Sequence, residues 1–548
     1  MNNKKIFLAL FFSITVSYCF ADKYPRNYSI DIIHYAFELR LSDSTDEIIG
    51  KATVRVLFKK ADILQVRLDL VNKTEQRAGK GMAVESVTYN NMNVGFIHKN
   101  DELLIQLGGP AEKDKIGQIV IEYKGVPADA LRIGPTKYGD RSFFCENWPN
   151  RARHWLPTVD HPYDKATCDF IVTAPSRYKV ISNGLLQEES QINKDFKLTH
   201  WKQSVPVSCW LFVLGVAEFA VQNVDQFDGK LIQTWVYPKD REAGFYDFAN
   251  PTKQVLQYYS DYIGPFVYEK LANIQTPSVN GGMETSSAIF YGENLVNGKA
   301  DERLKDVVIH EIAHQWFGNA VTESTWDDAW LSEGLATYFT LLFQEHTYGH
   351  EKYIDGLKKA KKSIASYYKK DSTFSIVDNR SAETGPVTSG ITYQKGAWVL
   401  HMLRELIGPD KFQKGIRAYY KKYLNANATT NDFIGEMEKA SGKKLKSFFY
   451  QWLNRPGVLK IAGDWEYDAR SKQIILNMEQ LHSGEILYDM PLEIQVFEEG
   501  SNKPMKLKFT INKKSAQFKI HSLKRPALLV TDPNTSLLAD IDLKEKQQ

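Results

Sequence analysis

His310-Glu-Ile-Ala-His314-Gln-Trp-Phe-Gly318, followed by Trp330-Leu-Ser-Glu333-Gly334, is the stretch on which the reading of this chain turns. On a helix, residues four apart lie on one face about one turn apart, so the imidazoles of His310 and His314 can share one ion. Leu304, Val307, Val308, Ile312 and Trp316 supply an apolar stripe that predicts a helix over 301–317, with a stop at Gly318. Eighteen residues separate His314 from Glu333, enough for a turn and a return. Two histidines and one glutamate leave the fourth zinc position open for water, the catalytic rather than the structural form of such a site. One zinc per chain is therefore expected on His310, His314 and Glu333. Glu311, beside two of the ligands, is placed to take a proton from an activated water and return it to a leaving amine. Asp327 and Asp328 read equally well as partners for the second nitrogen of a ligand imidazole or as helix N-terminal charge.

Outward from this centre the pattern changes twice. Residues 227–455 carry mostly helical spacing, in stretches such as Phe245–Ile263, Leu331–Tyr348, Lys352–Tyr368 and Tyr393–Ile407. Before them, residues 22–226 alternate as strands do, as in Ala52–Phe58, Gln118–Tyr123 and Asp169–Ala174, with turns at Asn183-Gly184 and Asp228-Gly229. After them, residues 456–548 return to alternation, in Gln473–Met478, Leu492–Phe497 and Met505–Ile511, the pattern of a small β-sandwich. The expected fold is multidomain α+β: a β domain, a mostly helical zinc domain and a C-terminal sandwich. Residues 1–21 read as a signal peptide, with Lys4 and Lys5 ahead of the apolar run Ile6–Val16 and a cleavage site after Ala21. The mature chain is then exported, periplasmic or extracellular, with no transmembrane segment.

A net charge of +3 on 548 residues gives no electrostatic case for nucleic acid. Cys145, Cys168 and Cys209 form neither a disulfide framework nor a zinc cluster, and buried free thiols are the simpler reading.

The zinc stretch, taken with four others, resembles the M1 (gluzincin) aminopeptidases. Gly281-Gly282-Met283-Glu284-Thr285 is similar to their Gly-Ala-Met-Glu-Asn exopeptidase motif, with Thr285 in place of Asn. Tyr393-Gln-Lys395-Gly396-Ala397 is similar to the segment holding their catalytic tyrosine. Phe144-Cys145-Glu146, with Trp155-Leu-Pro-Thr-Val-Asp160-His-Pro162, resembles the loop that reaches their active site, and Phe449–Gly457 resembles the exit from their catalytic region. The resemblance implies a thermolysin-like catalytic domain and hydrolysis of the N-terminal peptide bond. It implies that Glu284 and Glu146 bind the substrate's free α-amine, that Gly281, Gly282 and Met283 line the substrate cleft, and that Tyr393 stabilises the oxyanion. The large helical C-terminal domain of many members is expected to be absent. An endopeptidase would not need Glu284, an epoxide hydrolase would need a basic clamp from that missing domain, and an inactive binding protein would be expected to lose Glu311 or Tyr393. Peptides with a free N-terminus are thus the expected partners.

Overall fold

The alternation in Ala52–Phe58 belongs to a longer strand, Ile48–Phe58, with every second side chain buried. It pairs antiparallel with Ile30–Arg40 on one side and Ile116–Val126 on the other, at the centre of an eight-stranded sheet. One parallel pairing, Ile30–Arg40 with Ala166–Pro175, makes this sheet mixed. A second sheet contains Arg141–Cys145, whose end delivers Glu146. The structure is a computed structural model and describes residues 22–377, 387–481 and 487–546. The expected signal peptide lies outside the described residues.

The strand Ala220–Phe227 straddles the boundary expected at 226. It pairs with Lys230–Val236 and so joins a five-stranded sheet with Lys270–Thr276, Ala288–Gly292 and the edge strand Gly282–Met283. This sheet backs the helices of the zinc region. The single helix expected over 245–263 is two, Arg241–Ala249 and Thr252–Tyr262. They part at Pro251, which has no N–H to donate and crowds the preceding turn.

Asp301 caps the first zinc helix, Glu302–His314, by accepting from Leu304 N at 2.9 Å, and Leu304, Val308, Ile309 and Ile312 are buried beneath it. The chain reverses at Gly318, at φ +107°, a conformation that suits a residue without Cβ. It re-enters as Trp330–Tyr348, buried along nearly all of its first four turns. Gly390–Ile407, which carries Tyr393, begins with a capping box from Ser389 and Thr392.

Two lysines stitch the first domain to segments flanking the zinc residues. Lys165 Nζ donates to the carbonyls of Asn319 and Ala320 and to Thr322 Oγ1 at 2.9–3.1 Å. Lys270 Nζ donates to the Ser182 and Gly184 carbonyls. The Asn183-Gly184 turn answers with bonds to Ser286 O and Ser287 Oγ at 2.8 Å, fixing the chain just after Glu284.

The C-terminal strands form a four-stranded sheet around Leu459–Asp468 and a three-stranded sheet around Met490–Glu498. They dock on the helical unit through His401 Nε2 with Thr535 O, 2.9 Å, and through Lys361 Nζ, which donates to Ala539 O at 2.5 Å. Cys145, Cys168 and Cys209 are buried free thiols. No described helix is long and apolar enough to cross a membrane.

Candidate metal centre and substrate cleft

The one-turn spacing of His310 and His314 does what the helix requires of it: their Nε2 atoms lie 3.0 Å apart. The returning helix brings Glu333 Oε2 to 3.4 Å from His310 Nε2 and 3.2 Å from His314 Nε2. Two donors each about 2.1 Å from a zinc ion, at a tetrahedral angle, stand about 3.4 Å apart, so the triangle has the right size. Its chemistry fits as well. His314 Nδ1 is 3.0 Å from the Phe317 carbonyl, which can only accept, so Nδ1 keeps its proton and the proton that a cation would displace is the one on Nε2, which faces inward. Glu333 Oε2 is buried and accepts no hydrogen bond among the described residues, an acceptor left for a cation. Burial disfavours charge on His314, yet Glu284 and Glu333 outweigh it and lift its pKa to about 10. Burial would likewise raise Glu333, but His314 and His310 hold it at about 2. The site is built to stabilise positive charge at the point where the three donors meet.

The second nitrogen of His314 is met by Ser332, whose Oγ is 3.0 Å from Nδ1, and by the Phe317 carbonyl, not by Asp328. Asp328 instead accepts from Thr430, at its hydroxyl (2.5 Å) and its amide (3.2 Å). A Cβ on Gly318 would overlap Ser332 Oγ, so the same glycine makes the turn and clears the ligand's support.

Glu311 is buried next to the triad, and its pKa is pushed well up, by burial first and then by the Glu284 charge. It packs against Gly282 so closely that a Cβ there would overlap its carboxylate. Glu284 is also buried, with Oε1 3.9 Å from His314 Nδ1. Its backbone is clamped by residues that follow the second histidine: Asn319 Nδ2 donates to Glu284 O at 2.6 Å and Gln315 Nε2 at 3.2 Å. Thr285 donates its hydroxyl to Ala288 O and so closes the turn beyond Glu284. Gly281 O accepts from Gly292 N at 2.8 Å, and Met283 is buried in the edge strand.

Tyr393 Oη donates to Glu333 Oε1 at 2.6 Å, and its ring stacks near His310. Burial and the Glu333 charge hold its pKa far above the usual tyrosine value, so it remains a donor. Its helix comes this close because two glycines cross: a Cβ on Gly396 would stand 2.9 Å from Gly334 Cα. Glu146 behaves differently. It forms an ion pair with Arg151 and accepts from Trp148 N at 3.1 Å, in a polar hollow shared with Arg132 and Ser278. Its charge is met by its own loop.

Residues 248–452, which contain both zinc helices and Tyr393, match the peptidase family M1 domain. Residues 31–211, with the first sheets and Glu146, match the peptidase M1 N-terminal domain. The chain belongs to peptidase family M1. Among M1 relatives, glutamyl aminopeptidase of Rattus norvegicus is 27% identical over 475 residues, 82% of this chain and 49% of that protein. Glutamyl aminopeptidase of Sus scrofa is 34% identical over 323 residues, 56% and 34% of the two chains. The chain spans between a third and a half of the length of these relatives. Among solved structures, an M1 zinc metallopeptidase from Deinococcus radiodurans shares the fold, with a TM-score of 0.65 at 22% identity over 78% of this chain and 94% of that one.

Ser332, Gln315, Asn319 and Gly334 support the M1 site without having been singled out from sequence. They lie within or directly after the two stretches that carry the ligands, but their partners differ: Gln315 and Asn319 hold Glu284 O, Ser332 meets His314 and Gly334 meets Gly396.

Proposed function

We propose that this M1 chain is a zinc aminopeptidase that removes the N-terminal residue from peptides. The observation that carries the proposal is the convergence of His310, His314 and Glu333 within 3.0–3.4 Å, with the Glu284 carboxylate 3.9 Å from His314. His310, His314 and Glu333 would hold one zinc, which supplies Lewis acidity to the scissile carbonyl and makes water acidic enough to attack at neutral pH.

The chain's own residues do the rest. Glu311, its pKa raised by burial, takes the proton of the attacking water and passes it to the departing amine. Tyr393 turns its proton from Glu333 to the carbonyl oxygen as negative charge develops there. Glu284 holds the substrate's α-ammonium, a cation of reference pKa near 8 that suits a buried carboxylate. Glu146 would join it only by exchanging Arg151 for the ammonium. Gly282, lacking a Cβ, lets the edge strand pass directly beside the Glu311 carboxylate and so fixes where that base sits.

The test compares a peptide with its N-acetyl form, before and after chelation, by mass spectrometry. The free peptide should lose its first residue and the acetylated one should stay whole, because the Glu284 carboxylate would be left buried without a cation. Chelation should stop the reaction. Equal cleavage of both peptides would mean endopeptidase activity.

A further inference from the structure

A cavity of about 570 Å³ opens from the reaction centre, with Gly282, His310, Glu311 and Tyr393 at one end. Glu284 is not among the residues that line it. In the aminopeptidase reading, the amine end of a peptide and its leaving end lie on opposite sides of the scissile carbonyl. A cavity that shares the reacting groups but not Glu284 therefore receives the leaving portion.

The far wall is the helix His350–Lys370, which turns Lys352, Gly356, Lys359 and Ser363 toward this space at helical spacing. Two lysines, Lys352 and Lys359, and two carboxylates, Asp306 and Glu311, line the cavity. Lys352 is paired with Glu302 at 3.1 Å. Apart from Glu311, the carboxylate in the wall is Asp306, which accepts from Gln344 Nε2 at 2.6 Å and whose pKa is raised by burial. Lys359 makes no ion pair or hydrogen bond among the described residues. Lys359 is thus an exposed ammonium with no direct partner, within electrostatic reach of Asp306 and Glu302, and such a charge draws ligands of the opposite sign.

We propose that Lys359, flanked by Lys352, makes the leaving-group side of the cleft a carboxylate-binding subsite, so that peptides carrying a carboxylate beyond the scissile bond are cleaved in preference to uncharged ones. The carboxylate can come from a nearby C-terminus or from an acidic side chain. The inference rests on the aminopeptidase reading and concerns specificity within it.

The experiment measures kcat/KM on matched pairs: Ala-Ala-Ala as free acid and as C-terminal amide, and Ala-Glu-amide against Ala-Gln-amide. Each ratio is normalised within one enzyme, so losses of folded protein cancel. Wild type should favour the charged member by about fivefold in at least one pair, the size of a partly exposed ion pair. A preference in the first pair assigns the terminus, in the second the side chain. Lys359→Gln should bring the ratio to about one, and Lys359→Glu should invert it. Cleavage of all four peptides with ratios near one, or a wild-type preference that survives Lys359→Glu, overturns this inference alone. Failure of the wild type to cleave any of them overturns the aminopeptidase reading with it.

Discussion

Tyr393 donates to Glu333 Oε1 at 2.6 Å, on the same carboxylate whose Oε2 faces His310 at 3.4 Å and His314 at 3.2 Å. One side chain thus holds a proposed metal ligand and, in the proposed reaction, also serves the oxyanion. Tyr393→Phe should lower kcat by about 10²–10³, the usual cost of one oxyanion donor. It should also weaken zinc about tenfold, since it removes a hydrogen bond to a ligand. Steady-state kinetics at saturating zinc, with a competition titration of the metal, separate the two. A change in thermal stability alone would mean that the tyrosine only packs.

The contact between Gly282 and Glu311 gives a second prediction. A Cβ on Gly282 must displace the Glu311 carboxylate, so Gly282→Ala should resemble Glu311→Gln. Both should lose at least about a hundredfold in kcat while keeping zinc, as expected when a general base is misplaced or removed. Zinc content and kcat measured on the same preparations decide it. A Gly282→Ala enzyme with normal kcat would show that the close approach is not needed.

Support of the ligands should follow the geometry at Ser332 rather than the acids upstream of Glu333. Ser332→Ala should weaken zinc by about tenfold. Asp328→Ala should leave zinc affinity near wild type and cost about 1–3 kcal/mol of stability, because it strips Thr430 of its buried acceptor. Metal titration beside chemical denaturation distinguishes them. The opposite assignment would restore Asp328 as the orienting group.

Lys270 makes the joint between the first domain and the zinc region sensitive to pH. Burial pulls its pKa down to about 7, whereas the unfolded chain holds it near 10.4. Between these values the unfolded chain binds a proton that the folded chain lacks, so this contribution to stability grows as pH rises from 7 to about 10 and is lost as pH falls. Lys270→Met removes the dependence. The difference in melting temperature, wild type minus variant, should increase across that window, by no more than about 5 kcal/mol in free energy. A flat difference would mean that Lys270 stays charged among the Ser182 and Gly184 carbonyls.

Much of this was legible in the sequence, and for a physical reason. Strand alternation and helical stripes report which face is buried, and the motifs report chemistry carried by residues close together in the chain. His310, Glu311 and His314 share one helix, so their geometry follows from spacing alone. The break at Pro251 rests on one residue inside an apolar stripe that continues on both sides of it. What escaped depends on contacts between distant segments. The Gly334–Gly396 crossing joins helices whose approach no local pattern encodes, and Ser332 reads as an ordinary helix residue until His314 lies beside it. Asp327 and Asp328 were ambiguous because an acid before a helix serves equally as cap, ligand support or hydrogen-bond acceptor. The pairing of Glu146 with Arg151 likewise depends on how one loop folds on itself.

In the proposed function three residues hold one zinc that the aminopeptidase reaction requires. Zinc titrated into chelator-stripped protein, with release of the N-terminal residue from a free peptide followed, puts this to the test. Activity should be absent at the start, rise with added zinc and level off at about one equivalent per chain. Full activity in the stripped protein, or a plateau that ignores His310→Ala, would contradict it.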